Sequence, residues 1–350
     1  MVVDSGILQR VRRSLHTLRR SGVPVGPDAP PVIAAFSGGA DSLALVVMLR
    51  ELERLGLARA IAVHVDHGVR PESGDEARAV ASVADRLGVA FRAEQIAPDA
   101  LTRHVGSGLE EAMRRERYRL LAGVAAEEGA EAIATGHHRR DQAETVLLHL
   151  MRGAGLGGAA GMREVSALVV PWWQEPGPSI PVTLWRPLLR EDPVLLRGAI
   201  APLGLPVVED PTNRSEVFRR SALRHRALPI LESIVPGAET NLAAFADRAA
   251  EDADALDAIA QEVLAARPDR DRLPRSLLEG QPVAIRQRVI RGWVTAVAPG
   301  VDLTADRTEA IRGLGERNEG GKTVQIGGGW SVRLVRGDLR AVPPAGVDAT

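Results

Sequence analysis

The stretch FSGGADSLAL, residues 36–45, follows the apolar run Val32-Ile33-Ala34-Ala35 and leads into an alanine- and leucine-rich segment. Two adjacent glycines let backbone N–H groups approach a ligand without interference from Cβ, and a helix that follows adds partial positive charge at its N-terminus. Together these make a phosphate cradle. Asp41 complicates it, because a bare carboxylate repels phosphate unless it caps the helix or holds a cation between them.

Three more stretches could do chemistry. AVHVDHGVRPES (62–73) brings His64, Asp66, His67 and Arg70 to the end of an apolar run; the plainer reading is a polar strand end with solvated charges. GLEEAMRRERYRLL (108–121) puts Arg114, Arg117 and Tyr118 at i, i+3 and i+4 on one helix face. Its guanidinium groups suit phosphate, while Glu110, Glu111 and Glu116 would equally make a salt-bridged surface helix. In ATGHHRRDQAETVLLHLMRGAG (134–155), His137, Asp141 and Glu144 recur at i, i+4 and i+7 and share a face. This spacing lacks the HExxH geometry of zinc enzymes. It favours a polar pocket wall that receives a cationic ligand, over helix-capping acids facing solvent. Gly321-Lys322-Thr323 imitates the tail of a Walker A loop, but the glycine required five residues before Gly321 falls on Glu316, and the following segment reads as strand.

These residues need elements to position them. Four apolar runs, PVIAAF (31–36), RAIAVHVD (59–66), VAFRAEQI (89–96) and EAIATG (131–136), alternate with helical stretches. Two of those helices open on apparent capping boxes, Ser73 with Glu76 and Ser107 with Glu110. The alternation predicts a Rossmann-like α/β domain, a parallel sheet with helices on both faces and ligands at the C-terminal strand ends. Residues 165–187 read as a hairpin-like excursion in which Trp172, Trp173 and Trp185 cover core. A helix near 192–203 precedes the strand-and-turn GLPVVEDPTN (204–213). After Phe218 the pattern becomes alanine-rich helices, closing on short alternating strands from Thr323. The expected division is a catalytic domain over 1–217 and a smaller, mainly helical domain over 218–350.

The chain has 350 residues, no cysteine and a formal net charge of -1. Disulfides, thiolate zinc sites, iron–sulfur clusters and a persulfide relay are thereby excluded. Nucleic-acid binding would have to come from local patches, and since Lys322 is the only lysine those patches are made of arginine. The first 30 residues contain no apolar core of signal-peptide kind, and no run of 18 apolar residues occurs, so a cytoplasmic protein without membrane contact is expected.

SGGADS resembles the pyrophosphate loop of the PP-loop ATP pyrophosphatase superfamily, whose adenine nucleotide alpha hydrolase-like fold is the one expected above. The resemblance implies ATP bound through Ser37, Gly38, Gly39, Ala40, Asp41, Ser42 and His64, with Asp41 beside Mg²⁺. SGGADS, VHVDHGVRP, EEAMRRERY, TGHHRRDQAETVLLHLMRGAGLGGAAGM, WRPLL and VEDPTN also occur in the order and spacing of the tRNA(Ile)-lysidine synthase family, strongly over residues 31 to 226. That resemblance implies adenylation of carbon 2 of the wobble cytidine in a CAU-anticodon isoleucine tRNA, then attack by the side-chain amine of L-lysine. Catalytic roles are implied for Asp41, Asp66, Arg114, His137, Asp141 and Glu144, and tRNA contacts for Arg117, Arg219, Arg220 and Arg224. Either a monomer or a homodimer is compatible with it.

Two departures stand out. The family usually carries two adjacent aspartates in HHxDDQxET, and Arg140 replaces the first; Arg140 is expected to point away from the pocket. In FRRSALRH (218–225), Ser221 and Ala222 stand where asparagine and a basic residue are common. The competing readings are a thiolation enzyme, which the missing cysteines oppose, a small-molecule PP-loop synthetase, and a tRNA-binding module without catalysis.

Overall fold

Val32 and Ala34 face one side of their strand and Ile33 the other, and each side has its own core. We describe residues 4–66, 73–104, 106, 108–168, 182–208, 219–267, 269–301, 303–316 and 321–344 of a computed structural model, without the side chains of 73–75 and 219. His67, Arg70, Trp172, Trp173 and the turn over 209–213 lie outside the described residues. The chain divides into two compact units, Met1–Arg248 and Ala249–Thr350.

In the first unit, α1 (Ser5–Arg20) precedes β1 (Val32–Ala35), α2 (Ala40–Arg54), β2 (Ala60–Asp66), α3 (Ser73–Leu87) and β3 (Ala90–Gln95). Next come α4 (Leu109–Glu127), β4 (Ala132–Ala134), α5 (Arg139–Met151), the short α6 (Leu156–Ala159), β5 (Val165–Ala167) and β6 (Thr183–Trp185). The six strands lie in the order β3-β2-β1-β4-β6-β5, all neighbours parallel except the antiparallel pair β5 and β6. Crossover helices cover both faces, as parallel sheets require. On one face α1, α2 and α3 bury Leu15, Leu45, Met48 and Val83 over Val32, Ala34 and Ala62. On the other, α4 sets Leu121, Ala122 and Ala125 against Ile33, Val63 and Ile133. Strand order reverses between β1 and β4, so their two outgoing loops open a crevice at the C-terminal sheet edge.

The expected helices are present with one shift at an end. The N-cap of α4 is Gly108, one residue after the expected Ser107, and it carries no side-chain cap bond. The excursion after β5 does return as a strand, and Trp185 is fully buried with its indole N–H donating to Ser14 Oγ at 2.9 Å. Helix α7 (Pro193–Ile200) is capped by Asp192, and the segment after it, expected as strand, stays outside the sheet over 204–208. Then α8 (Arg219–Ala222), a π-helical turn over Leu223–Ala227 and α9 (Leu228–Ile234) lead to the 28-residue α10 (Ala238–Ala265).

The second unit sets α11 (Val283–Val297) and α12 (Ala305–Glu316) against an antiparallel sheet, ordered β7-β10-β9-β8. Its strands are β7 (Arg272–Pro274), β8 (Thr323–Gly327), β9 (Trp330–Val335) and β10 (Asp338–Val342). The three closing strands match the expectation, whereas β7 was hidden inside the stretch read as helical. Lys322 immediately precedes β8, which excludes a phosphate loop of the Walker type there. No helix among the described residues is long and apolar enough to cross a membrane.

The crevice is narrow at its root. A Cβ added at Gly136, just past β4, would lie 2.8 Å from the Asp41 carbonyl oxygen and 3.1 Å from the Ser42 nitrogen. Gly136→Ala is therefore expected to cost about 1–3 kcal/mol through forced backbone movement. Gly123→Ala, in mid-α4 with open space around the new methyl, should instead stabilise by about 0.4–1 kcal/mol. Urea unfolding of both variants checks the opposite signs.

Candidate functional site

The loop between β1 and α2 is held open from below. Gly38 has φ +85°, and a Cβ there would lie 2.7 Å from Val80 Cγ2 and 3.0 Å from Val208 Cγ2, so only glycine suits the position. Its carbonyl accepts from the Val208 N–H at 3.0 Å, which ties the loop to the segment after α7. Gly39 caps α2 without any side-chain bond, so the first amides of α2 remain available. Ser42 Oγ donates to the Gly39 carbonyl at 2.9 Å and sits 3.1 Å from Ser37 Oγ. Two hydroxyls and a helix N-terminus thus face one spot, the arrangement that receives phosphate. His64 is buried beside it, where Nδ1 must donate to the Phe36 carbonyl at 3.0 Å and so pins the end of β1 to β2.

Asp41 opens the first turn of α2 and does not stand alone. His138, 1% exposed, lies between two carboxylates, with Nε2 3.3 Å from Asp41 Oδ2 and Nδ1 3.2 Å from Asp141 Oδ2. Burial opposes charge on this imidazole, but its bond to Asp41 and the two nearby carboxylates outweigh burial and raise its pKa. Burial likewise opposes ionisation of Asp41, yet the His138 contact, followed by the charges of Arg197 and Arg224, holds its carboxyl below the usual range. Asp41 Oδ1 is buried with no hydrogen-bond partner, and the nearest cation, Arg197 Nε, is 3.7 Å away.

That orphaned oxygen is the observation that bears on Mg²⁺. Magnesium in nucleotide sites takes one or two carboxylates and completes its shell with phosphate oxygens and water. One free carboxylate oxygen beside a phosphate cradle fits such an ion, and the described residues include no cluster of three or more His, Asp or Glu that would hold a metal without a phosphate.

Helix α5 begins at the tip of β4, and His138 is its N-cap. The Asp141 side chain accepts from the His138 N–H at 3.0 Å while the Asp141 N–H reaches His138 Nδ1 at 3.4 Å, a reciprocal box. Asp141 and Glu144 are one turn apart, and both are taken by Arg224 from the π-helical turn. Nη2 donates to Asp141 Oδ1 at 2.6 Å, and Nε and Nη2 reach the two Glu144 oxygens at 2.5 and 3.1 Å. Burial nevertheless leaves Glu144 with a raised pKa. The cation on this acidic face is Arg224 of the same chain, a residue expected at the tRNA. Arg140 turns away to Glu239 at 2.8 Å.

Between the loop and α4 lies a cavity of about 170 Å³, bordered by Ser37, Asp41, Ser42, Arg117, Tyr118 and His137. Tyr118 carries Arg114 and Arg117 against its ring, 5.2 and 5.7 Å from the centroid. Burial, then the charges of Arg114 and Arg220, lower the Arg117 pKa, although Tyr118 and Glu110 act the other way. His137 Nδ1 is 2.7 Å from Thr135 Oγ1, and burial together with nearby arginines pushes its pKa down to about 3, so it is neutral at physiological pH. The cavity thus has a phosphate end and an uncharged imidazole end joined by arginine.

The expected residues separate accordingly. Ser37, Asp41, Ser42, Arg117 and His137 line one cavity; Asp141 is joined to Asp41 through His138, and Glu144 to Asp141 through Arg224. Asp66, at the end of β2, lies 3.5 Å from the Gln95 side chain and does not border the cavity. Arg220 is exposed, and the Arg219 side chain lies outside the description. His138 and Arg197 were missed, as was Arg186, whose charge helps to lower the His137 pKa. His138 and Arg186 sit in quoted stretches, HHRRDQAET and WRPLL; the signal for His138 is its place three residues before Asp141 at a helix start.

Comparison with known proteins gives the family. A family model described as a PP-loop domain matches residues 8–231, and one described as a TilS substrate binding domain matches residues 273–340. The tRNA(Ile)-lysidine synthase of Salinispora arenicola is 37% identical over 345 residues, 97% of this chain and 96% of that protein. That of Nitratidesulfovibrio vulgaris is 33% identical, over 89% of this chain and 92% of that protein. That of Thermus thermophilus is 36% identical over 90% of this chain, which spans only 59% of the Thermus protein. Among solved structures, the U34-tRNA thiolase NcsA of Methanococcus maripaludis aligns with a TM-score of 0.53 at 20% identity, over 70% of this chain and 80% of that one, a likeness of fold. The matched domains and the full-length relatives together make this chain a member of the tRNA(Ile)-lysidine synthase family.

Proposed function

We propose that this protein joins L-lysine to carbon 2 of the wobble cytidine of a CAU-anticodon isoleucine tRNA, using ATP and releasing AMP and diphosphate. The observation that carries the reading is the cavity with a phosphate cradle at one end and Arg117, Tyr118 and neutral His137 at the other, near the acidic pair of half-buried Asp141 and buried Glu144. A cytoplasmic site of action follows from the two substrates, ATP and tRNA.

In the first step the cytidine O2 bonds to the α-phosphorus of ATP and the bond to the β-phosphate oxygen breaks, so diphosphate leaves with the electron pair. The Ser37 and Ser42 hydroxyls and the open amides of α2 bind and orient the departing diphosphate. Asp41 Oδ1 is the group that would hold Mg²⁺, which when bound neutralises charge on the phosphates. A cytidine must leave its stack to enter, and Tyr118 with its two guanidinium groups offers a flat cationic wall for it. His137, being neutral, adds no charge to repel the cationic character that builds on the activated ring.

In the second step the lysine ε-amine bonds to C2 and AMP departs with the former O2, while the amine loses a proton. Asp141 and Glu144 are the acids suited to the lysine substrate, and Arg224 is the guanidinium that already balances them. A bound ammonium would share or replace that guanidinium, because buried Glu144 cannot be left without a cation.

The test is transfer of labelled lysine, with ATP, to matched isoleucine and methionine CAU transcripts; absence of label in both, with folded protein, defeats the reading. Asp141→Asn and Glu144→Gln each remove a charge-assisted bond of about 1.5–3 kcal/mol, so lysine KM should rise about 10- to 100-fold while ATP–diphosphate exchange stimulated by tRNA is far less affected. Unchanged lysine KM would remove both acids from the amine site. For His137, the folded pKa near 3 lies below the unfolded value, so stability is lost as pH falls through the unfolded pKa and the loss levels off near 3. His137→Gln should flatten the dependence of unfolding free energy on pH across that window, as read by urea titrations at several pH values.

A further inference from the structure

WRPLL has a second use that the reaction above does not absorb. Behind the active cavity, between α1 and the turn after β6, lies another cavity of about 280 Å³, bordered by Arg10, Arg13, Arg186, Arg190, Glu164 and Glu191. Both glutamates are already matched. Arg10 forks onto Glu191 with two bonds of 2.7 Å, and Arg190 Nη1 donates to Glu164 at 3.0 Å. The other two arginines have no carboxylate partner among the described residues. Arg186 is only 7% exposed, donates from Nη1 to the Arg163 carbonyl at 2.7 Å and to Ser166 Oγ at 3.1 Å, and leaves Nε buried without any partner. A buried guanidinium with an unused N–H and no counter-ion gains strongly from an anion.

The surface around the cavity selects the kind of anion. Helix α1 carries five arginines and no acidic residue within its span. Arg13, Thr17 and Arg20 follow one another at helical spacing on its exposed side, and Arg12, Arg13 and Arg20 make no ion pair among the described residues. From Arg13 to Arg20 this stripe runs about 10 Å along the helix. A single small anion would use the cavity and leave the stripe idle, whereas a chain of phosphates uses both.

We infer that this cavity and the exposed stripe of α1 form a binding site for RNA backbone phosphates, with Arg186 as its buried floor and Arg13 and Arg20 as its outer contacts. Arg186 also feels the charge of Tyr118, which lines the active cavity, so one buried side chain is electrostatically linked to both places. The inference rests on the tRNA reading above and adds a footprint to it. Phosphate contacts of this kind position the RNA and carry no sequence information.

The experiment is equilibrium binding of an unmodified CAU isoleucine transcript to the full chain between about 50 and 200 mM salt, for the parent protein and for Arg13→Glu with Arg20→Glu. Both positions are exposed, and thermal melting should match the parent. Binding is expected to weaken by about tenfold or more at the low-salt end, with the slope of log affinity against log salt shallower by about two. Equal affinity and equal slope would overturn the inference, and would leave lysine transfer by the parent untouched. Failure of the parent to bind the transcript defeats instead the function on which the inference rests. Calorimetry with diphosphate gives the other arm: a diphosphate response that the double variant loses, with transcript binding unchanged, would make this a small-anion site and overturn the RNA assignment. Should the double variant melt early, Arg13→Gln alone should still flatten the slope by about one.

Discussion

One imidazole joins the two halves of the candidate site. His138 lies between Asp41, which opens α2, and Asp141, which opens α5, and it also serves as the N-cap of α5. Its position sets the distance between the phosphate loop and the acidic helix, because Asp41 lies at its ring and the Asp141 carboxylate accepts from its backbone N–H. The same ring keeps Asp41 ionised despite burial, so the loop can present a carboxylate oxygen next to phosphate. The helix dipoles add to this, since α2 and α5 both point positive ends at the C-terminal edge of the sheet. Everything that approaches that edge meets an environment prepared for anions, with one acidic recess reserved for a cation.

The acidic recess is the tightest electrostatic balance in the first unit. Asp141 and Glu144 sit a turn apart on α5, and Arg224 comes from a π-helical turn, a local departure from the α-helical ladder often found at functional positions. Glu144 keeps a raised pKa despite a bidentate partner, which records how little water reaches it. With Arg224 bridging both acids, the recess is already balanced within the chain, and a further anion would be repelled from it.

Most of the sheet was legible in the sequence because β1, β2 and β4, covered on both faces, read as short apolar runs; β3, partly exposed at the sheet edge, also falls within the run expected for it. The phosphate loop was legible too, since Ser37, Gly38, Gly39 and Ser42 fall within six consecutive residues and their chemistry is local. What escaped was non-local or atypical. Arg224 meets Glu144 across 80 positions, and nothing near either residue marks the pairing. His138 was passed over because imidazole is outside the usual set of capping side chains. Gly108 takes the cap expected of Ser107, and β7 hid among alanine-rich helices as a strand of only three residues. Arg186 was quoted only as part of WRPLL, because its importance comes from burial without a counter-ion, a property no sequence pattern carries.

The ring on which Arg114 and Arg117 rest belongs to the chain's single tyrosine. Biosynthetic labelling at tyrosine would therefore yield one resonance, and that resonance reports from the wall of the active cavity with no background from elsewhere in the protein. Any ligand that enters that cavity would announce itself by displacing the signal.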